Sequence, residues 1–440
     1  MTKQTPINYD VVSKHIASLN IPDLSKATIR EIVKVVDLIQ EETGDKYIRM
    51  EMGVPGLKPE KIGTEAEIDA LKRGVASMYP SIEGIPELKV ETARFIKNFM
   101  NINIKPEGCV ATTGSMQGGY AAFQAVSYMD KNKDTALFID PGFPIQKQQF
   151  KVIGAKFTSF DVYNYRGDKL KEKLESVLSK GNINSIIFSN PNNPSWICLN
   201  DEELKIIGDL ANKYDVIVIE DLAYFGMDFR KDGLATPGQA PYQPSVANYT
   251  DNWIMLISSS KVFSYAGQRM AVMAISDKLY NRSYPDLQER FGADKLGYTI
   301  VFRLLYSLSS GASHSAQFAL AAMLKAASDG KFNFVEPVKE YGKRAKVMKK
   351  LFTKYGFDII YDKDLDEDLA DGFYFTIAYP GMNGGDLINN LLYYGVSAIS
   401  LRGAGSDHVD GLRACVSQIA PAQFEDLEYR LKRFNEDYPI

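Results

Sequence analysis

Five short apolar runs punctuate the chain between residues 108 and 261, and each ends in small or polar residues: "GCVATTG", "TALFIDPGFP", "NSIIFSNPNNP", "YDVIVIEDLAYF" and "NWIMLISSSK". The runs are continuous rather than alternating. That pattern suits strands buried on both faces, as in a parallel sheet covered by helices. The segments between them carry Leu and Ile at helical spacing, as in "LNDEELKIIGDLANKY" (199–214), and a helix is expected from about Gln117. Together they predict an α/β fold class: a large doubly wound, mostly parallel-sheet domain over residues 55–325.

The last hundred residues read differently. "KYGFDIIYD", "DGFYFTIAYP", "YYGVSAISL" and "GLRACVSQIA" are strand-like and are separated by helical stretches such as "PAQFEDLEYRLKRFNEDY". They predict a smaller α+β domain over 326–440. The N-terminal segment, 1–54, is helical around "TIREIVKVVDLIQEE" and is expected to pack against it.

Composition narrows the function classes. Of 440 residues, 45% are hydrophobic and 24% charged, with a net charge of −4. No basic field exists to hold nucleic acid or an anionic membrane, so a small-molecule partner is expected. The three cysteines, Cys109, Cys198 and Cys415, are far apart and odd in number, which fits a reducing compartment without disulfides. His15, His314 and His408 lie at no ligand spacing, so no metal site is expected. The N-terminus lacks the apolar core of a signal peptide, and the expected location is cytoplasmic.

In an open α/β sheet, ligands bind beyond the carboxyl ends of the strands. "TTGSMQGG" (112–119) brings Ser115, Met116 and Gln117 to a strand-to-helix turn that suits a phosphate, although the same glycines serve a tight turn equally well. Phe143 in "DPGFP" suits either a stacked planar ligand or a core. Asn193 in "NPNNP" offers an amide to an oxygen, or simply a proline-stiffened turn. In "EDLAY", Asp221 follows a buried run and fits a protonated heteroaromatic nitrogen or a helix cap, with Tyr224 three residues on. Lys261 at the end of "SSSK" suits a Schiff base with a carbonyl cofactor. Ser258 and Arg269 add a hydroxyl and a permanent cation. The Ser-x-x-Lys acyl-enzyme reading lacks its companion Ser-Asp-Asn and Lys-Thr-Gly elements.

Taken together these stretches resemble the fold type I pyridoxal-phosphate enzymes of the class I/II aminotransferase family. "MEMGVPGLKP" (50–59) and "YPSIEGIPELKVETARFI" (79–96) extend the resemblance over most of the chain. It implies an aminotransferase, with Lys261 as the Schiff-base lysine and general base, and Asp221 on the pyridine nitrogen. Asn193 and Tyr224 would hold the phenolic oxygen and Phe143 would stack on the ring. Ser115, Met116, Gln117, Ser258 and Arg269 would hold the phosphate, and Tyr79 would reach the phosphate of a neighbouring subunit in a homodimer. Arg413 would grip the substrate α-carboxylate, with Gly53 and Asn193 lining that pocket. A β-eliminating carbon–sulfur lyase and a cofactor-binding regulator of the same fold stay open as alternatives. The chain departs from the family at Ser195-Trp196, where Thr-Gly is usual, and at Ala271. Trp196 is open to shaping the pocket, with a core or surface place as the expectation. Arg49 and Arg402 are the candidate second cations for a dicarboxylate substrate.

Overall fold

A computed structural model describes residues 4–440. Contacts divide the chain into two compact units. The larger comprises Leu57–Asn192 and Cys198–Val338; the smaller comprises the described residues up to Gly56, Asn193–Ile197 and Lys339–Ile440.

The larger unit is organised by seven strands: β1 (Cys109–Thr113), β2 (Thr135–Asp140), β3 (Lys156–Asp161), β4 (Ile183–Ser189), β5 (Ile217–Asp221), β6 (Trp253–Ser258) and β7 (Met270–Ile275). Their order in the sheet is β1-β7-β6-β5-β4-β2-β3. All neighbours are parallel except β7, which runs antiparallel to both β1 and β6. The five apolar runs of the sequence are β1, β2, β4, β5 and β6. The two additional strands have physical reasons to be inconspicuous. β3 is an edge strand whose Lys156, Thr158 and Ser159 are exposed. β7 follows the polar loop after Lys261 with only a single 3-10 turn, Ala266–Gln268, and no α-helix between them. The helix after β1 begins at Gly114, earlier than the expected Gln117.

Register decides what meets at the carboxyl edge. Ser189 lies opposite Asp221, and Asp221 opposite Leu256, so β4, β5 and β6 finish almost level. Across β7, Ala271 pairs with both Thr112 and Ser258, which brings the ends of β1 and β6 to the same edge. One sheet face is covered by the helix Gly114–Tyr128, whose Ala121, Ala122, Ala125 and Val126 pack against a core including Val110, Ile219, Leu256 and Met273. Small side chains there let the helix lie close to the strands.

In the smaller unit, β8 (Asp358–Ile359), β9 (Tyr374–Ala378), β10 (Ile399–Ser400) and β11 (Leu412–Cys415) form an antiparallel sheet in the order β10-β11-β9-β8. The helix Ile29–Thr43 opens with a capping box between Thr28 and Glu31 and buries Ile32, Val35, Val36 and Ile39. Beyond it, Ile48–Arg49 pairs in parallel with Val396–Ser397, tying the N-terminal segment to the C-terminal one. No disulfide forms; all three cysteines are buried, and burial pushes the Cys109 thiol up to about 12. Among the described residues no helix is long and apolar enough to cross a membrane, and no cluster of His, Cys, Asp or Glu could hold a metal.

Candidate active site

Asp221 is the last residue of β5 and is 7% exposed. Its Oδ1 accepts the Ala223 N–H at 3.1 Å and its Oδ2 accepts the Gln146 amide at 2.9 Å. No cation among the described residues pairs with it. Burial therefore dominates and pushes the carboxyl up to about 6, against those two donors. A buried carboxylate of this kind suits a cationic ligand nitrogen, which would bring it back to the charged form. One residue earlier, Glu220 is fully buried. Its Oε2 accepts the Ser245 hydroxyl at 2.5 Å and the Val246 N–H at 3.2 Å, while Oε1 has no partner. Burial pushes Glu220 up to about 8.

Two loops leave this edge and are anchored by aromatic side chains. Phe225 follows the buried Tyr224, and Phe263 lies two residues after Lys261. Both enter a cluster with Phe95 and Phe334, with Phe95 ring centroids 5.1 Å from Phe225, 6.3 Å from Phe263 and 5.3 Å from Phe334. Tyr265 adds a second tie: its hydroxyl donates to Glu67 at 2.6 Å, and Glu67 also accepts from Ser315 at 3.0 Å. Lys261 itself is half-buried, three residues beyond the end of β6.

The end of β1 and the loop before β7 bring together groups that suit an anion. The first turn of the helix Gly114–Tyr128 leaves backbone N–H groups without intrahelical acceptors, including those of Ser115, Met116 and Gln117. Gly114 has φ +69°, and a side chain there would collide with the guanidinium of Arg269. Glycine thus meets two demands at once, a left-handed turn and a close approach by a cation. Arg269 also has positive φ, 51°, and donates from Nη1 to the Ala266 carbonyl at 2.8 Å. Ser258 is buried, its Oγ accepting the Ser260 N–H at 3.1 Å. The Gln117 side chain accepts the Thr113 N–H at 2.7 Å and donates to Ser309 at 2.9 Å, so only its backbone amide is offered to an anion. Phe143 is partly exposed just before the helix Pro144–Ile153, and no other aromatic ring of the described residues packs on it.

The smaller unit holds a second cluster. Arg413 sits in β11, between Thr376 of β9 and Ile399 of β10, and is 3% exposed. It donates from Nη2 to the Glu51 carbonyl at 2.7 Å and from Nη1 to Asn193 Oδ1 at 3.4 Å. Its Nε has no partner, and no carboxylate among the described residues pairs with it. A buried guanidinium without an acid is costly and is suited to an anionic ligand. Its Cζ lies 4.6 Å from the Tyr374 ring centroid. Gly53 faces the same tyrosine, whose hydroxyl leaves no room for a side chain there. The Glu51 side chain is held by Arg49 Nε at 2.7 Å and by the Ser397 hydroxyl at 2.6 Å.

The structure thus gathers Asp221, Tyr224, Ser258, Lys261, Arg269, Ser115, Met116, Gln117 and Phe143 around one sheet edge of the larger unit. It gathers Arg413, Asn193 and Gly53 in the smaller unit. Tyr79, 88% exposed, joins neither group. Arg49 is engaged by Glu51 and Asp37, and Arg402 by Asp23, so neither is an uncommitted cation. Sequence reasoning missed Gln146, Tyr374 and Glu51. Each acts through a tertiary contact with a distant residue, and no local pattern marks it. On the strand-edge groups alone, the larger unit fits a planar aromatic ligand with a protonated ring nitrogen and an anionic tail.

Three comparisons bear on this arrangement. A family model described as aminotransferase class I and II matches residues 52–364. An aspartate aminotransferase of Pyrococcus horikoshii is 28% identical over 250 residues, covering 56% of this chain and 59% of that protein. A glutamate-pyruvate aminotransferase of Escherichia coli is 28% identical over 236 residues, covering 52% and 54% respectively. The chain therefore spans less than two thirds of the length of these curated relatives. An alanine aminotransferase structure from Pyrococcus furiosus superposes with TM-score 0.75 at 20% identity, covering 96% of this chain and 99% of that one, which shows the same fold.

Proposed function

The chain belongs to the class I and II aminotransferase family, and on that footing we propose that it moves an amino group between an L-amino acid and a 2-oxo acid in two ping-pong halves. Members of the family use pyridoxal phosphate. The observation that carries the reading is a single sheet edge bearing an amine (Lys261), a buried carboxylate without a cation (Asp221) and a glycine turn pressed against an arginine (Gly114, Arg269). When bound, the cofactor supplies an electron sink for the bond broken at the substrate α-carbon.

The chain's own residues do the rest. Lys261 is the covalent anchor and the base that takes the α-proton. Asp221, close to half-protonated near pH 6 when no cation faces it, keeps a proton on the ring nitrogen once that cation is beside it. Tyr224 and Asn193 hold the phenolic oxygen, and Phe143 covers the ring. The amides of Ser115, Met116 and Gln117, with Ser258 and Arg269, hold the phosphate. Arg413 grips the α-carboxylate through parallel hydrogen bonds, which fixes the bond to be broken. We assign the exposed Tyr79 to the phosphate of a second copy in a homodimer, and we propose a cytoplasmic location, which the scattered, odd-numbered cysteines support.

The test is spectroscopic. Purified protein given pyridoxal phosphate should develop a visible absorption band that Lys261→Ala lacks. A panel of L-alanine, L-aspartate, L-glutamate, L-lysine and L-phenylalanine should include at least one member that bleaches the band in a single turnover. Protein that stays colourless with added cofactor overturns the reading. So does pyruvate release from sulfur amino acids with no amino acid able to bleach the band.

A further inference from the structure

Trp196 occupies a position that favours glycine. Its φ is +66°, in the left-handed region, where a residue with a β-carbon is strained by about 1 kcal/mol. The bulkiest side chain nonetheless stands there, fully buried. The space it fills is cut to its shape: any side chain at Gly372 would collide with the indole. A residue that merely filled a core would need neither the strained backbone nor the matching glycine.

What the indole touches gives it a role. Its ring meets the buried Tyr374 edge-on, with centroids 6.2 Å apart and planes at 65°. Tyr374 in turn carries the Arg413 guanidinium on its face at 4.6 Å. The turn that holds Trp196 also supplies Asn193, which accepts from Arg413 Nη1 at 3.4 Å. Both ends of one short segment therefore converge on Arg413, one through the ring of Tyr374 and one directly. We propose that Trp196 and Tyr374 are positioning residues for Arg413: indole, phenol ring and guanidinium form a row that fixes the plane in which the arginine meets a carboxylate. The inference rests on the reading of Arg413 as the carboxylate holder.

The experiment compares carboxylate with carboxamide on the holoenzyme. L-Alanine, L-aspartate and L-phenylalanine are each titrated beside the matching α-carboxamide, and the half-saturating concentration of the carboxamide divided by that of the amino acid measures the grip on the carboxylate. Trp196→Gly, which relieves the backbone while removing the indole, and Tyr374→Leu should each lower that ratio roughly threefold to thirtyfold. Tyr374→Phe keeps the ring and should leave it within about twofold. Trp196→Leu, which also removes the ring, serves the same test if the glycine variant does not fold. In a Trp253→Phe background Trp196 is the single remaining indole, and its emission should shift with the amino acids but not with the carboxamides. Arg413→Gln should bring the ratio close to unity. If it does so while Trp196→Gly and Tyr374→Leu leave the ratio unchanged, the positioning role is overturned. If Arg413→Gln leaves the ratio intact, the underlying reading of Arg413 fails instead.

Discussion

Glu220 stands beside Asp221 with no charge to balance it, held by one hydroxyl and one backbone amide. Its carboxyl is pushed from 4.5 up to about 8, so the folded protein keeps a proton that the unfolded chain releases. The stability it contributes is complete below pH 4.5 and declines as pH rises towards 8. For one such group the slope reaches up to about 1.4 kcal/mol per pH unit. Urea midpoints of the cofactor-free protein should therefore fall between pH 5 and 8, and Glu220→Gln should flatten that fall; parallel slopes in the two proteins would refute the assignment. The same scale shows where sequence reading stops. Asp221 and Lys261 follow apolar runs that announce strand ends, while Arg269 was singled out only by its spacing from Lys261. Tyr374 could not, since its importance comes from a guanidinium and an indole far away in sequence. Trp196 was visible as a departure from the family pattern, but that it keeps a glycine-like turn was not.

At the scale of elements, the turn from β1 into its helix concentrates several demands on Gly114. Gly114→Ala meets both a positive φ and the Arg269 guanidinium, so it should cost roughly 1–3 kcal/mol in stability and weaken pyridoxal phosphate binding by about tenfold. Gly154, which ends the helix Pro144–Ile153 at φ +75° with no atom near an added carbon, isolates the first term. Gly154→Ala should cost about 1 kcal/mol and leave cofactor affinity unchanged, as thermal melts and cofactor titrations would show. The five buried strands were legible because unbroken apolar runs between turn residues have few other uses. The edge strand β3 was hidden by its polar outer face, and β7 by its lack of a preceding α-helix.

For the whole molecule, the two-unit division follows from the chain's own pairing: Ile48–Arg49 against Val396–Ser397 commits the N-terminal segment to the C-terminal unit. A homodimer predicts a sedimentation mass of two chains. It also predicts that Tyr79→Ala weakens cofactor binding while changing the stability of a single chain by no more than about 0.5 kcal/mol, as befits so exposed a residue. Cofactor affinity unchanged in Tyr79→Ala would remove that tyrosine from the site. The interior placement of Cys109, Cys198 and Cys415 has a practical corollary. With every native thiol shielded, one cysteine introduced as Tyr79→Cys becomes the sole addressable thiol on the chain. A spin label attached there turns the question of assembly into a distance measured between two copies.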